Sequence, residues 1–211
     1  KKELEFYLSF VKGQNMKVLE PMCGSGRILI PFMQNGIDIE GFDISKEMLE
    51  ACVEKAERIS IKPNVWYQDI ENFQNSKKYD LIIIPFGSFS LLADDIAVKS
   101  LQNMKAVLKD DGKILLTIIK KKSEIEELVD WTETNRVSFN KEIIVVYKKS
   151  FYDRKASSLN TKIKYELLQG NQKKKVEIMD FPLRLYVSEE FERILSSNGF
   201  NNLTVHEVKD G

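Results

Sequence analysis

The spacing of apolar residues changes along the chain, and each change marks an element. In residues 3–12, Leu4, Leu8 and Val11 share a helical face, and Gly13 ends the run. Residues 17–20 read as a short strand, with a turn over 21–26. A helical pattern over 27–35 stops at Gly36, and Pro31 is tolerated because it falls near the first turn, where the amide is not yet needed. Residues 37–43 form the next strand. Ser45 offers an N-cap to a helix running to about residue 59, in which Met48, Cys52 and Ala56 share a face with Leu49 and Val53. Further strands are expected at 64–68 and 79–84, the second so continuously apolar that both its faces should be covered. Asp94 offers a cap to a helix through Leu108, and Asp110-Asp111-Gly112 turns into a strand over 113–119. Strands alternating with helices predict an α/β fold, a Rossmann-like and mostly parallel sheet with flanking helices.

The rhythm breaks after Lys120. A helix over 123–132 is expected, then strand character at 142–152, 160–168 and 174–181. Ile163, Tyr165 and Leu167 alternate with Lys162, Lys164 and Glu166, so that strand has one wet face, and 169–172 suggests a hairpin turn. These stretches predict a small antiparallel lid, residues 135–183, inserted after the fifth strand of a single domain spanning 1–211. Ser188 is placed to cap a helix with Glu189 and Glu190 in its first turn, Phe191, Ile194 and Leu195 inward, and Gly199 at its stop. Residues 203–208 read as a last strand.

Composition narrows the function classes. With 43% hydrophobic residues in 211, the chain can bury one substantial core. Lys plus Arg and Asp plus Glu stand at 32 each, so no global field draws it to polyanions, which weighs against nucleic acid and an anionic membrane as partners. No apolar run approaches the roughly 20 residues of a bilayer span, and the start has no signal-peptide pattern, so a cytoplasmic location is expected. Cys23 and Cys52 form neither a CxxC pair nor a zinc set, and with one histidine, His206, no metal site is expected. His206 reads as a packing or surface residue. Lys120–Lys122 and Lys173–Lys175 read as solvated faces.

Ligands of open parallel sheets bind beyond the carboxyl ends of the strands. The first strand ends in Glu20-Pro21-Met22-Cys23-Gly24-Ser25-Gly26-Arg27, where two glycines allow a tight turn and close approach to a ligand. Asp43 closes the second strand about 17 residues later, near the spacing at which an acid takes the hydroxyls of an adenosine ribose. Gln68-Asp69-Ile70 follows the third strand, where a carboxylate can accept from an adenine amino group while Ile70 packs on the ring. A dinucleotide reading fails at Leu29, where that motif needs a small residue, and Glu20 suits an ammonium group better than a pyrophosphate.

These segments, with Gly41-Phe42-Asp43-Ile44-Ser45 and Tyr79 to Ile84, resemble the ordered motifs of class I S-adenosylmethionine-dependent methyltransferases. Leu183-Arg184-Leu185-Tyr186 and Gly199-Phe200 resemble the small-molecule branch that includes aminosugar and glycine N-methyltransferases. The resemblance implies S-adenosyl-L-methionine as cofactor and S-adenosyl-L-homocysteine as product. It implies that Gly24 and Gly26 face the methionine part with Met22, Cys23 and Arg27 in the same loop, and that Glu20 orients its amino group. Asp43 would take the ribose beside Ile44 and Met48, with Asp69 and Ile70 at the adenine and Pro85 and Phe86 beside the transferred methyl. Ile84 replaces the amide of the Asn-Pro-Pro-Tyr type, which disfavours nucleobase and glutamine acceptors. The expected acceptor is a small molecule methylated on nitrogen or oxygen rather than carbon. The alternatives are an RNA or protein acceptor, or a non-catalytic module that binds the cofactor. No catalytic base is identified, although Asp153, Tyr152 and Tyr165 from the lid are placed as candidates.

Family members usually end with an antiparallel strand inserted between the fifth and sixth, yet this chain stops at Asp210-Gly211. A missing seventh strand is therefore expected, with a gap or a substitute in the sheet. The start at Lys1 without Met suggests a trimmed or unrepresented amino terminus.

Overall fold

The computed structural model describes residues 2–13, 15–140, 142–170, 172–187 and 189–207, which divide into two compact units. The first unit comprises Lys1–Phe89, Ala93–Ile118 and Glu189–Gly211. Its sheet contains β1 (Lys17–Pro21), β2 (Asp38–Asp43), β3 (Asn64–Tyr67), β4 (Tyr79–Ile84) and β5 (Leu108–Leu116), in the order β3-β2-β1-β4-β5 with all pairings parallel. Strand order reverses between β1 and β4, so this is where a parallel sheet opens a crevice for ligands. Leu81, Ile82, Ile83 and Ile84 of β4 are fully buried. At roughly 1.5–3 kcal/mol for each such side chain, that strand anchors the sheet.

The helices are α1 (Lys2–Leu8), α2 (Leu29–Gln34), α3 (Lys46–Glu57), α4 (Asp94–Val107) and α5 (Glu190–Ser197). Leu29, Ile30 and Phe32 of α2 and Leu49, Cys52 and Ala56 of α3 join the core against Val18, Ile39 and Leu81. Ser45 caps α3 as expected, its Oγ accepting the Met48 N–H at 3.2 Å. At α4, Ala93 rather than Asp94 holds the N-cap position, and Asp94 and Asp95 stand in the first turn, where the helix dipole favours them. The Ser188 cap lies outside the described residues. The expected turn at 110–112 is a bulge within β5, whose register with β4 jumps from Tyr79 opposite Leu108 to Leu81 opposite Lys113.

The expected last strand is not formed: residues 203–207 are irregular, and 208 lies outside the described residues. A strand needs a hydrogen-bonding partner, and among the described residues nothing pairs with the outer edge of β5. His206 instead packs edge-on against Phe6 and Phe10, with ring centroids 5.1 and 6.4 Å away.

The second unit comprises Ser90–Leu92 and Ile119–Ser188. Its sheet has the order β6-β10-β9-β8-β7, from β6 (Ile119–Lys120), β7 (Thr132–Phe139), β8 (Glu142–Asp153), β9 (Ser158–Gln169) and β10 (Gln172–Tyr186). Only the β10–β6 pairing is parallel. The helix expected at 123–132 is absent, because other groups satisfy its backbone. Leu128 N–H donates to Ser150 Oγ at 3.0 Å, Leu128 C=O accepts the Ser150 N–H at 2.7 Å, and the Glu127 carboxylate accepts the Tyr152 N–H. β7 escaped the sequence reading since its residues Thr132 to Ser138 are exposed and mostly polar. Among the described residues, no helix is long and apolar enough to cross a membrane.

Candidate cofactor site

Three consecutive turns of backbone shape the carboxyl end of β1. Met22, Gly24 and Gly26 all have positive φ, at 58°, 51° and 76°. A Cβ on Gly26 would stand 2.6 Å from Cys52 Sγ, closer than real contacts allow, and one on Gly24 would meet Met48 Cε at 3.2 Å. The loop is pinned to β2 twice. Cys23 N–H donates to the Phe42 carbonyl at 3.0 Å, and Gly24 N–H donates to Asp43 Oδ2 at 2.8 Å. Asp43 Oδ1 accepts the Ser45 N–H at 2.9 Å, so one carboxylate ties the glycine loop to the start of α3. Ile44 and Met48 are exposed beside it.

Glu20 stands at the base of this loop, 2% exposed, and its Oε2 has no hydrogen-bond partner among the described residues. Burial first, and then the charge of Asp43, push its carboxyl well above the usual range, against a backbone N–H of Leu29 that favours the charged form. Cys23 is buried in the same place, and burial drives its thiol up as well, so it is an inert packing residue.

At the end of β4, Pro85 is buried, and Phe86 and Gly87 take positive φ of 57° and 73° in a turn closed by Ser88 N–H to the Pro85 carbonyl at 3.1 Å. A bulky residue in that region is uncommon and marks imposed conformation. The Arg27 guanidinium lies 3.9 Å from the centroid of the Phe86 ring, so one face of that ring already holds a cation from the protein.

The third strand end differs in character. Asp69 Oδ1 accepts the Asn72 N–H at 2.7 Å and Oδ2 accepts Asn72 Nδ2 at 3.1 Å, so this carboxylate caps its own loop, while Ile70 is 7% exposed. Asp43 at the end of β2 thus joins two segments, whereas Asp69 just beyond β3 holds only Asn72 of its own loop.

Sequence reading missed Tyr7. It is 2% exposed; its hydroxyl donates to Glu3 at 3.0 Å and lies 2.5 Å from Thr117 Oγ1, while the Thr117 N–H donates to the Ile84 carbonyl at 2.9 Å. The signal was available, because Tyr7 completes the helical set Leu4, Leu8 and Val11. Lys55, whose Nζ donates to Ser25 Oγ at 2.7 Å, was missed for want of any such pattern. A surface depression of about 430 Å³, lined by residues including Leu49, Val53, Trp66 and Tyr67, holds none of the strand-end acids, so chemistry rather than concavity locates the site. No cluster of three or more metal-ligand side chains exists among the described residues.

Residues 18–112 match the family model of a methyltransferase domain. Over this stretch, just under half of the chain, the sequence is similar to methyltransferase domains. A putative methyltransferase of Geobacillus sp. is 23% identical over 103 residues, 48% of this chain and 42% of the relative. A malonyl-[acyl-carrier protein] O-methyltransferase of Ilyobacter polytropus is 31% identical over 130 residues, 59% of this chain and 45% of its own length. The chain thus spans less than half the length of these curated relatives. Among solved structures, an S-adenosylmethionine-dependent methyltransferase of Clostridium acetobutylicum shares the fold with a TM-score of 0.76 at 21% identity, over 93% of this chain and 79% of the other. A sugar N-methyltransferase of Streptoalloteichus sp. does so with a TM-score of 0.76 at 17% identity, over 93% and 78%.

Glu20 Oε2 is buried without a partner among the described residues, and its strand leads into a loop where a Cβ on Gly26 would clash with Cys52 Sγ. These features suit S-adenosylmethionine, the cofactor that the sequence motifs lead one to expect.

Proposed function

We propose that this chain methylates a small molecule on nitrogen or oxygen, with Glu20, Gly24, Gly26 and Asp43 holding the cofactor. The observation that carries this reading is the pinned loop, with Gly24 N–H to Asp43 at 2.8 Å, next to a buried Glu20 whose Oε2 has no partner among the described residues. Glu20 would meet the cofactor's amino group, and the backbone at Met22 to Gly26 its methionine chain. Asp43, with lone pairs beyond the two it gives to Gly24 and Ser45, would take the ribose hydroxyls. Ile44 and Met48 would flank the adenosine, and Asp69 and Ile70 would border the adenine.

When bound, the cofactor supplies an already activated methyl group. The protein's part is then to position the acceptor and exclude water rather than to generate a strong nucleophile. The Pro85-Phe86-Gly87 turn, held in strained backbone and stacked by Arg27, would fix one wall beside the acceptor. The sugar N-methyltransferase among the structural neighbours supports a small-molecule acceptor, and the absence of a net charge offers no pull toward RNA. The acyl-carrier relative, the most identical over the longest stretch of the two curated proteins above, favours a second reading in which the acceptor is a carboxyl oxygen.

Calorimetric titration with S-adenosylmethionine and S-adenosylhomocysteine tests the site. Micromolar binding by the wild type that falls sharply in Asp43→Ala supports it, and no binding by folded wild-type protein removes it. Methyl transfer to a panel of amino sugars and short carboxylic acids then separates the two acceptor readings.

A further inference from the structure

Glu20 is the buried titratable group whose chemistry the reading above leaves incomplete. It lies near the end of β1 at 2% exposure, and its Oε2 meets no donor among the described residues. The titratable groups facing it are Asp43 from the end of β2, Cys23 from the loop, Cys52 from α3 and Tyr7 from α1. None of these is a cation, and Glu20 makes no ion pair among the described residues. A carboxylate in that position would face a second carboxylate with only the Leu29 N–H in its favour. A neutral carboxyl group meets no such penalty.

We propose that Glu20 carries a proton in the free protein and releases it to solvent when the ammonium group of a bound cofactor comes against it. This rests on the cofactor reading above. A cation within roughly 4–6 Å favours the charged carboxyl and reverses the balance set by burial and Asp43. The O–H bond breaks, its electron pair stays on the carboxyl oxygen, and the proton passes to the buffer. The ammonium group brings one positive charge to the carboxyl and the departing proton takes one away, so an ion pair replaces a neutral acid with no change in the net charge at Glu20. Affinity then depends on pH, and rises about tenfold per unit for as long as the free protein keeps its proton.

The test is calorimetry of S-adenosylhomocysteine binding at about pH 6.5, where an α-amino group of ordinary pKa near 7.7–8.0 stays protonated, in buffers of different ionisation enthalpy. The expected result is an apparent enthalpy that follows the buffer's with a slope of about one proton released, and Glu20→Gln binding with a slope near zero. Wild-type affinity should rise with pH between about pH 5.5 and 6.5, by up to about tenfold, while that of the glutamine variant stays flat. Binding without proton release by the wild type, or an unchanged slope in Glu20→Gln, overturns the inference and leaves the cofactor reading standing. Should the variant fail to fold, the wild-type pH series decides, and a flat profile overturns the proposal. A folded wild type that gives no binding heat overturns both.

Discussion

Gly26→Ala tests the packing of the cofactor loop against α3, and its cost divides into two parts that can be separated. An alanine at φ 76° sits in the left-handed region, which costs about 1–2 kcal/mol for a residue with a Cβ. That Cβ also stands 2.6 Å from Cys52 Sγ and 3.0 Å from two carbons of Ile30, an overpacking that adds about 1–3 kcal/mol. The expected loss is thus about 2–5 kcal/mol, a large share of a domain's stability. Cys52→Ala removes the sulfur, the closest of the three contacts, but leaves the backbone strain and Ile30. The double variant should therefore be more stable than the sum of the single losses by about 1–2 kcal/mol, even though Cys52→Ala alone destabilises by opening a cavity in a fully buried position.

Urea unfolding followed by fluorescence of Trp66 and Trp131 gives the four free energies, with an unchanged denaturant slope confirming that only native-state stability has moved. Additivity within about 0.5 kcal/mol would refute the contact argument, because it would mean that the loop relaxes away from α3 at no cost. A single-variant loss below about 1 kcal/mol would refute the backbone part too.

Asp43→Ala leaves the Gly24 and Ser45 N–H groups without their charged acceptor, and cofactor affinity should drop by roughly tenfold to a hundredfold in titration; an unchanged affinity would show that the pinned loop does not bind it. Tyr7→Phe removes a buried hydroxyl between Glu3 and Thr117 and should cost about 1–2 kcal/mol in urea unfolding, with a loss near zero excluding any role for that chain in holding β5 to α1. Since the folded state holds the Glu20 proton more tightly than the unfolded chain, the stability it contributes is complete below the usual carboxylate range and is lost as pH rises toward the raised value, by at most about 1.36 kcal/mol per unit. Glu20→Gln should flatten that decline in unfolding free energy measured across pH, and an identical decline in the variant would assign it elsewhere.

The parts of this fold that could be read from the sequence are those in which local chemistry and tertiary demand coincide. Tyr79 to Ile84 is apolar because both sheet faces are covered, and Ser45 precedes α3 because its hydroxyl meets an otherwise unpaired N–H. The glycine loop was legible for the same reason, since Gly24 and Gly26 occupy backbone that other residues enter only at a cost. Where a distant partner decides, the local signal fails. Residues 123–132 carry no helix breaker, yet Ser150 and Tyr152 of β8 claim their hydrogen-bonding groups, and β7 is a strand because β8 lies beside it rather than because its own residues favour one.

The site residues divide along the same line, and the division bears on function. Residue type and spacing singled out Glu20, Asp43 and Asp69 as one set of strand-end acids, but they cannot say how each carboxylate is employed. Asp43 accepts backbone N–H groups from the glycine loop and from Ser45, and Asp69 accepts one from its own loop, whereas Glu20 keeps a buried oxygen with no partner among the described residues. An acid already satisfied by the backbone can help to hold a ligand while its loop stays folded. One left unsatisfied in a dry position costs most when it is charged, and a bound cation offsets that charge. The difference between these acids is thus a difference in what binding must change, and it follows from burial and hydrogen bonding at atoms the sequence shows only as three carboxyl groups.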